Sequence, residues 1–288
     1  MRTAFQRGSV RVVVIALVAT FLFFATAHSA SAETILGPNL GTFAILGGAG
    51  VTFGGGAPPS EITGSIGACC NATAITGAIP TDYKFSGGTL YLADGTVPTA
   101  AHNELVIAIA ALEGMSAVSL ALSSLGANST SATGLGPGVY AVSVTDLNTT
   151  LYLDGGGNTN ALWVFLLPTS RTTASTSNVI LENTGAGAGV YWVMGASATL
   201  GANSTFVGNI LADASISLGT NVTDSCGSLF TNTASVTLAG HDTVGIGCSG
   251  APFPDAPEPN AFFYLAPCLA ALVIERRRSR SKPSTSRA

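Results

Sequence analysis

"ATLGANSTFVGNILADASISLGTNVTDSCGSLFTNTASVTLAGHDTV", residues 198–244, carries one short pattern three times. Thr199-Leu200-Gly201 returns as Ser217-Leu218-Gly219 and again as Thr237-Leu238-Ala239. Around each Leu, apolar and polar residues alternate: Ala198 and Leu200 against Thr199, Ile216 and Leu218 against Ser217, Val236 and Leu238 against Thr237. A period of two puts the first set on one face of a strand and the second on the other. Short strands returning at about 20 residues with Gly-rich corners predict a β-solenoid whose coils stack on one another. Extending the alignment to Leu153, Thr173, Leu200, Leu218 and Leu238 gives steps of 20, 27, 18 and 20 residues. Phe206, Ile210, Leu229 and Val244 are further inward positions. The Gly and Asn residues between strands suit corners that need positive φ.

Composition narrows the function. Only 9% of the 288 residues are charged and 35 are Gly. Of 11 basic residues, only Lys84 and Arg171 lie between residues 33 and 255, against 13 acids, so this body is near −11. It has no basic patch to neutralise phosphates, which excludes nucleic acid as the expected partner.

Both chain ends read as targeting segments. Residues 1–32 have a basic start, the apolar run "VVVIALVATFLFFATA" and Ala30-Ser31-Ala32. This is the layout of a secretion signal, with cleavage expected before Glu33. Export permits disulfides. Cys226–Cys248 is the expected pair, stapling the last repeat, whereas adjacent Cys69 and Cys70 could form a vicinal bridge or remain thiols. At the other end, in 256–288, Pro257-Glu258-Pro259 precedes an apolar run, 261–274, and Arg276-Arg277-Arg278 follows. The run is shorter than the ~20 residues that span a bilayer core. The arrangement resembles the PEP-CTERM sorting signal, which implies recognition by an exosortase-type machinery. The protein is expected to be secreted or attached to the cell surface, with transient anchoring by this tail.

One segment departs from the strand pattern. "VPTAAHNELVIAIAALEGM", 97–115, places Leu105, Ile109 and Leu112 on one helical face, with Pro98 in the first turn and Gly114 as a stop. It predicts one helix packed along the solenoid. Upstream, 41–67 reads as short strands forming first coils or a cap.

The residues of this body, 33–255, resemble the DUF3494-type ice-binding family. The stretches that carry the resemblance are "GTFAILGGAGVT" (41–52), "ITGSIG" (62–67), "GPGVY" (136–140), "LYLDGGGNTNALWVF" (151–165), "VYWVMGASATLGANSTFVGNILADASISL" (190–218) and "SVTLAGHDTV" (235–244). They occur in the family's order. The resemblance implies an all-β-dominated, irregular right-handed β-helix with one long helix alongside, and adsorption to an ice crystal surface. "IGACCNATAITG" departs from the family pattern.

No catalytic or metal motif competes with that reading. No His-Glu-x-x-His, Gly-x-Ser-x-Gly or phosphate-loop pattern occurs. Asp146, Asp154, Asp213, Asp224 and Asp242 fall one per coil, mostly beside Gly or Thr as turn acids do, rather than as the close pair that glycoside hydrolysis requires. The chain is therefore expected to be a monomeric binding protein without cofactor or metal. The expected contact residues are an outward column of Thr172, Thr199, Ser217 and Thr237, and a second of Thr205, Thr223 and Thr243 near Asn203 and Asn221. Thr173 and Thr176 join them because Thr173-Ala174-Ser175-Thr176 resembles a T-A-x-T element of some family members. The competing expectation is a non-catalytic surface adhesin that holds exopolysaccharide.

Overall fold

The computed structural model describes residues 34–69, 75–77, 82–92, 95–120, 125–126, 129–143 and 146–250. The secretion signal, the sorting tail and Cys70 lie outside the described residues. Every long pairing between strands is parallel, and the strands fall into one eight-stranded and two seven-stranded sheets. The chain visits them in rotation. Gly189–Met194 lies in the eight-stranded sheet (sheet A), Ala198–Leu200 in the second (sheet B) and Thr205–Phe206 in the third (sheet C). Asn209–Ala212 then returns to sheet A and starts the next coil. The solid is a three-sided β-helix.

The coils do not stack in chain order. Phe43–Gly47, Gly50–Phe53 and Ser60–Thr63 form the first coil, and each pairs with a strand of the last: Ile45 with Leu229, Thr52 with Thr237, Glu61 with Thr243. The second coil sits beyond the first, with Ile66 beside Ile45. Thus 41–67 supplies coils at the far side of the C-terminal coil, instead of leading into the next coil of the chain. A helix, α1 (Thr96–Glu113), carries the chain back to the other end. It packs on sheet A through Ala101, Leu105, Ala108 and Leu112, all buried, with Ile109 partly so.

This packing explains why sheet A shows no alternation. Gly189–Met194 is buried at every position because one face meets the coil interior and the other meets α1. Phe165, Trp192, Ile210, Leu229 and Ile45 follow one another in register on the inner side. Phe165 and Trp192 stack with ring centroids 4.0 Å apart, and Phe206 closes on Trp192 at 4.9 Å. Val193, Leu211, Phe230 and Leu46 run in register on the helix side.

Sheets B and C keep one face inward. In sheet B the inward ladder is Leu147, Thr173, Leu200, Leu218, Leu238 and Phe53. Leu153, aligned with this ladder on sequence spacing, lies instead in sheet C, where it pairs with Leu181. Its segment, Thr150–Asp154, alternates as well as any other, so alternation alone cannot assign the face. The corners between B and C repeat one conformation: Thr176, Asn203, Asn221 and His241 have φ of 64°, 58°, 62° and 61°. Asn221 Nδ2 donates to Asn203 Oδ1 at 2.9 Å, a ladder that links two successive corners.

Two carboxyls are built into the stack. Asp242 sits at the junction between the last and first coils. Its Oδ1 accepts from Val222 N–H at 2.9 Å, its Oδ2 from Gly240 N–H at 3.1 Å, and its own N–H donates to Ser60 Oγ at 3.1 Å. Asp224 is not the turn acid expected from its neighbours; it lies inward on sheet C, level with Phe206 and Val244, and is fully buried. The N–H groups of Cys226 and Gly208 pull weakly against its desolvation, which pushes its carboxyl well above the usual carboxylate range.

Asp242→Ala leaves two buried N–H groups without an acceptor and should cost about 2–4 kcal/mol, read as a lower denaturant midpoint at unchanged slope. Because the folded pKa of Asp224 is raised, its contribution is fully present below its unfolded pKa of about 4 and is lost as pH rises through the folded value. Asp224→Asn should therefore unfold at a higher temperature than the parent at neutral pH, with the gap closing toward about pH 4; calorimetry across that range checks both ends.

Candidate functional site

The three sheets offer unequal outer surfaces. Sheet A is covered by α1. Sheet C brings Thr150, Asn178, Thr205, Thr223, Thr243, Glu61 and Lys84 into one register column. The expected second column therefore exists, but it ends in two exposed charged residues. Beside it Ile180 is 37% exposed, and Asp154 pairs in register with Glu182. This surface is chemically mixed.

Sheet B differs. Thr172 pairs with Thr199, Thr199 with Ser217, Ser217 with Thr237, Thr237 with Thr52, and Thr52 with Thr76. At the rung spacing of about 4.8 Å the column is about 24 Å long. All of these side chains are exposed except Ser217, which is half-buried. The hydroxyls of Thr172, Thr199, Ser217 and Thr237 make no hydrogen bond among the described residues; Thr76 Oγ1 donates to Thr52 Oγ1 at 3.1 Å. Each free hydroxyl retains donor and acceptor capacity for solvent.

What flanks this column keeps it flat. On one side runs a serine rail whose hydroxyls are spent on the stack: Ser215 Oγ donates to Ser197 Oγ at 2.9 Å, and Ser197 N–H donates to Ser170 Oγ at 3.4 Å. On the other side lie Ala174, Gly201, Gly219, Ala239 and Gly54. Here the rungs are too close for a Cβ at some positions: one on Gly54 would meet Ala239 O at 2.5 Å, and one on Gly201 the Ala174 carbonyl carbon at 2.5 Å. A ridge of β-branched side chains thus stands between two low borders.

Two of the expected contact residues lie elsewhere. Thr173 is corrected: it is 3% exposed and points inward, in the place that Leu200 and Leu218 take in other coils. There its Oγ1 accepts from Gly201 N–H at 2.8 Å, which satisfies a hydroxyl that a leucine ladder would otherwise strand. Thr176 is exposed, but at the B/C corner, where its hydroxyl donates to Ser175 O at 2.6 Å. Thr52 and Thr76 were missed. The signal for Thr52 was present, since "GVTF" (50–53) repeats "SVTL" (235–238) residue for residue in register.

The remaining polar groups serve the stack. Cys226 and Cys248 are joined by a disulfide with Cα atoms 5.3 Å apart, and Cys69 is also disulfide-bonded. Asp154 accepts from Gly156 N–H and Asn183 Nδ2, both at 2.9 Å, which hold its carboxyl below the usual range. That is the wrong direction for a general acid beside Glu182. Among the described residues no group of three or more His, Cys, Asp or Glu side chains could hold a metal ion.

The molecule has clear relatives. Residues 45–244 match the ice-binding-like family. An ice-binding protein of Nostoc sp. (strain HG1) is 35% identical over 235 residues, covering 78% of this chain and 79% of the relative. The crystal structure of the ice-binding protein from the Antarctic ascomycete Antarctomyces psychrotrophicus superposes with a TM-score of 0.62 at 31% identity, over 72% of this chain and 96% of that one. The DUF3494 domain of Shewanella frigidimarina ice-binding protein 1 shares the fold with a TM-score of 0.64 at 21% identity, over 75% of this chain and 98% of that domain. By the extent of its sequence match and by its helix-flanked solenoid, the chain belongs to the ice-binding-like, DUF3494-type family.

Proposed function

We propose that this protein adsorbs to ice through the outer face of sheet B and so restrains ice growth and recrystallisation. The observation that carries the reading is the unbroken register of Thr76, Thr52, Thr237, Ser217, Thr199 and Thr172 on a face exposed among the described residues, whose flanking positions are Ser, Gly and Ala. Threonine suits the task because its methyl orders adjacent water and its hydroxyl anchors that water by hydrogen bonding. Its χ1 is stiff, so little side-chain freedom remains to be lost on adsorption. Charged groups would impose hydration shells of their own; the Thr and Ser positions carry none, and the register meets an acid only at the end strand, where Thr172 pairs with Asp146, whereas Glu61, Lys84, Asp154 and Glu182 are on sheet C. Membership of a family whose relatives are ice-binding proteins supports the same target.

The activity so described needs no covalent chemistry, and the protein acts as a binding protein and as a monomer. Export through residues 1–32 delivers it outside the cytoplasm. The tail, with Pro257-Glu258-Pro259 and Arg276-Arg277-Arg278, directs it through exosortase-type sorting to the cell surface, where exopolysaccharide is its neighbour.

Thr199→Tyr and Thr237→Tyr should each weaken inhibition of ice recrystallisation by about tenfold or more, because a bulky ring lifts the flat ridge off its ligand. Thr223→Tyr, on sheet C, should leave it within about twofold of the parent. All three should unfold at the parent's temperature. Equal losses from Thr223→Tyr and Thr199→Tyr, or unchanged ice grain growth in the presence of the parent protein, would sink the assignment.

A further inference from the structure

We propose that the protein is built to hold ice while it is itself held through the chain that follows Gly250, so that it bridges ice to the surface that carries its tail. This rests on the ice reading of sheet B. Two independent features of the described residues lead to it.

The first is where the chain leaves the solenoid. In a three-sided helix each face lies opposite one vertex. Sheet B lies opposite the vertex where sheet C passes into sheet A, marked in one coil by Val207 and Gly208 between Thr205–Phe206 and Asn209–Ala212. After its last strand in sheet C, Thr243–Gly245, the chain turns into this vertex. There Ser249 forms an antiparallel bridge with Gly189, the first residue of a sheet A strand, and Gly250 N–H donates to Ala188 O at 3.1 Å. The chain therefore departs on the side opposite the threonine column. The N-terminal end of the described body also avoids sheet B: Asn39 N–H and Leu40 N–H donate to Glu104 Oε2 on α1 at 2.9 and 2.7 Å. Both ends of the described body are thus fastened away from sheet B.

The second is how firmly the exit is fastened. Residues 246–250 have no sheet of their own, yet a disulfide and a set of hydrogen bonds fasten them beyond the bond of Gly250 to Ala188. The disulfide ties Cys248 to Cys226. Asn209, 1% exposed, donates from Nδ2 to Cys248 O at 2.9 Å and to Gly247 O and Val190 O, each at 3.3 Å. The buried Tyr191 hydroxyl donates to Ser249 O. Val190 N–H donates to Cys248 O at 2.8 Å. A pull on Gly250 is thereby delivered to Val190 and Tyr191, Asn209 and Cys226, which belong to three successive coils. The disulfide also takes the 22-residue step from Cys226 to Cys248 out of the line of force. Fastening of this kind lets a load applied beyond Gly250 be borne by the stack.

The test uses the full chain with a biotin acceptor peptide after Ala288, captured on streptavidin beads and offered to a growing ice front. Beads should adhere with a surface density per protein within about twofold of free fluorescent protein, because a face turned away from the bead can engage, while geometry that forbids engagement abolishes binding. Beads carrying Thr199→Tyr should slide off. If free protein adsorbs and the beads do not, the orientation is wrong. If free protein does not adsorb either, the ice reading falls and this proposal with it. Under shear, Cys226→Ser with Cys248→Ser, and separately Tyr191→Phe, should keep static adhesion and detach at a several-fold lower shear. Tyr191→Phe leaves the disulfide intact and decides the point should the double variant not fold. A detachment threshold equal to the parent's in both variants overturns the role of the fastening.

Discussion

Parallel backbone pairing from rung to rung is the constraint on which everything else in this molecule depends. Once Ala198 is hydrogen-bonded in register over Ile216, and Ile216 over Val236, every neighbour of those residues is stacked as well. An inward position must then be apolar or internally satisfied in each coil, as Leu200, Leu218 and Leu238 are by burial and Thr173 by its bond from Gly201. An outward position becomes a row. The same repetition fixes the corners, where one left-handed residue per coil recurs at Thr176, Asn203, Asn221 and His241. Function on such a scaffold is a matter of what one row is allowed to contain.

The three faces resolve that question differently. Sheet A trades its exposure for stability by taking α1 onto its outer side, which gives this sheet apolar residues on both faces. Sheet C carries Glu61, Lys84, Asp154 and Glu182 along its strands, whereas sheet B has Asp146 and Arg171 only in its last two strands. Sheet B is left with small residues and one threonine ridge, and its regularity is enforced by close rung contacts that exclude a Cβ at Gly54 and Gly201. The flatness needed for a solid ligand is thus a property of the backbone before it is a property of the side chains.

Much of this was legible in the sequence, and the misses have physical causes. The alternation around Leu200, Leu218 and Leu238 is a local signal and correctly separates Thr199, Ser217 and Thr237 from the core. The helix was legible because Leu105 and Leu112 recur at helical spacing, and it runs Thr96–Glu113 against the expected 97–115. Alternation does not name the sheet: spacing aligns Leu153 with the sheet B ladder, whereas its pairing with Leu181 puts it in sheet C. Thr173 misled because a hydroxyl can replace a leucine inside when a backbone N–H reaches it. Asp224 misled because nothing in the Thr-Asp-Ser-Cys string distinguishes a turn acid from a buried one. The stacking of the first coil on the last pairs segments far apart in the chain; the likeness of GVTF to SVTL is its one trace, which reaches Thr52 but not Thr76.

That distant pairing has a consequence for how the molecule comes into being. Gly48 N–H donates to Thr231 Oγ1 across 183 residues, and the whole first coil rests on strands made last. A chain emerging N-terminus first cannot add coils one at a time onto a finished base. Its opening two coils must wait, unsupported on one side, until residues 229–245 have been delivered. Long-range parallel pairing of this kind closes slowly and leaves bare edges exposed in the interval. Maturation of this protein is therefore a single late event, and the quality of the sheet B surface is decided when the first coil docks on the last.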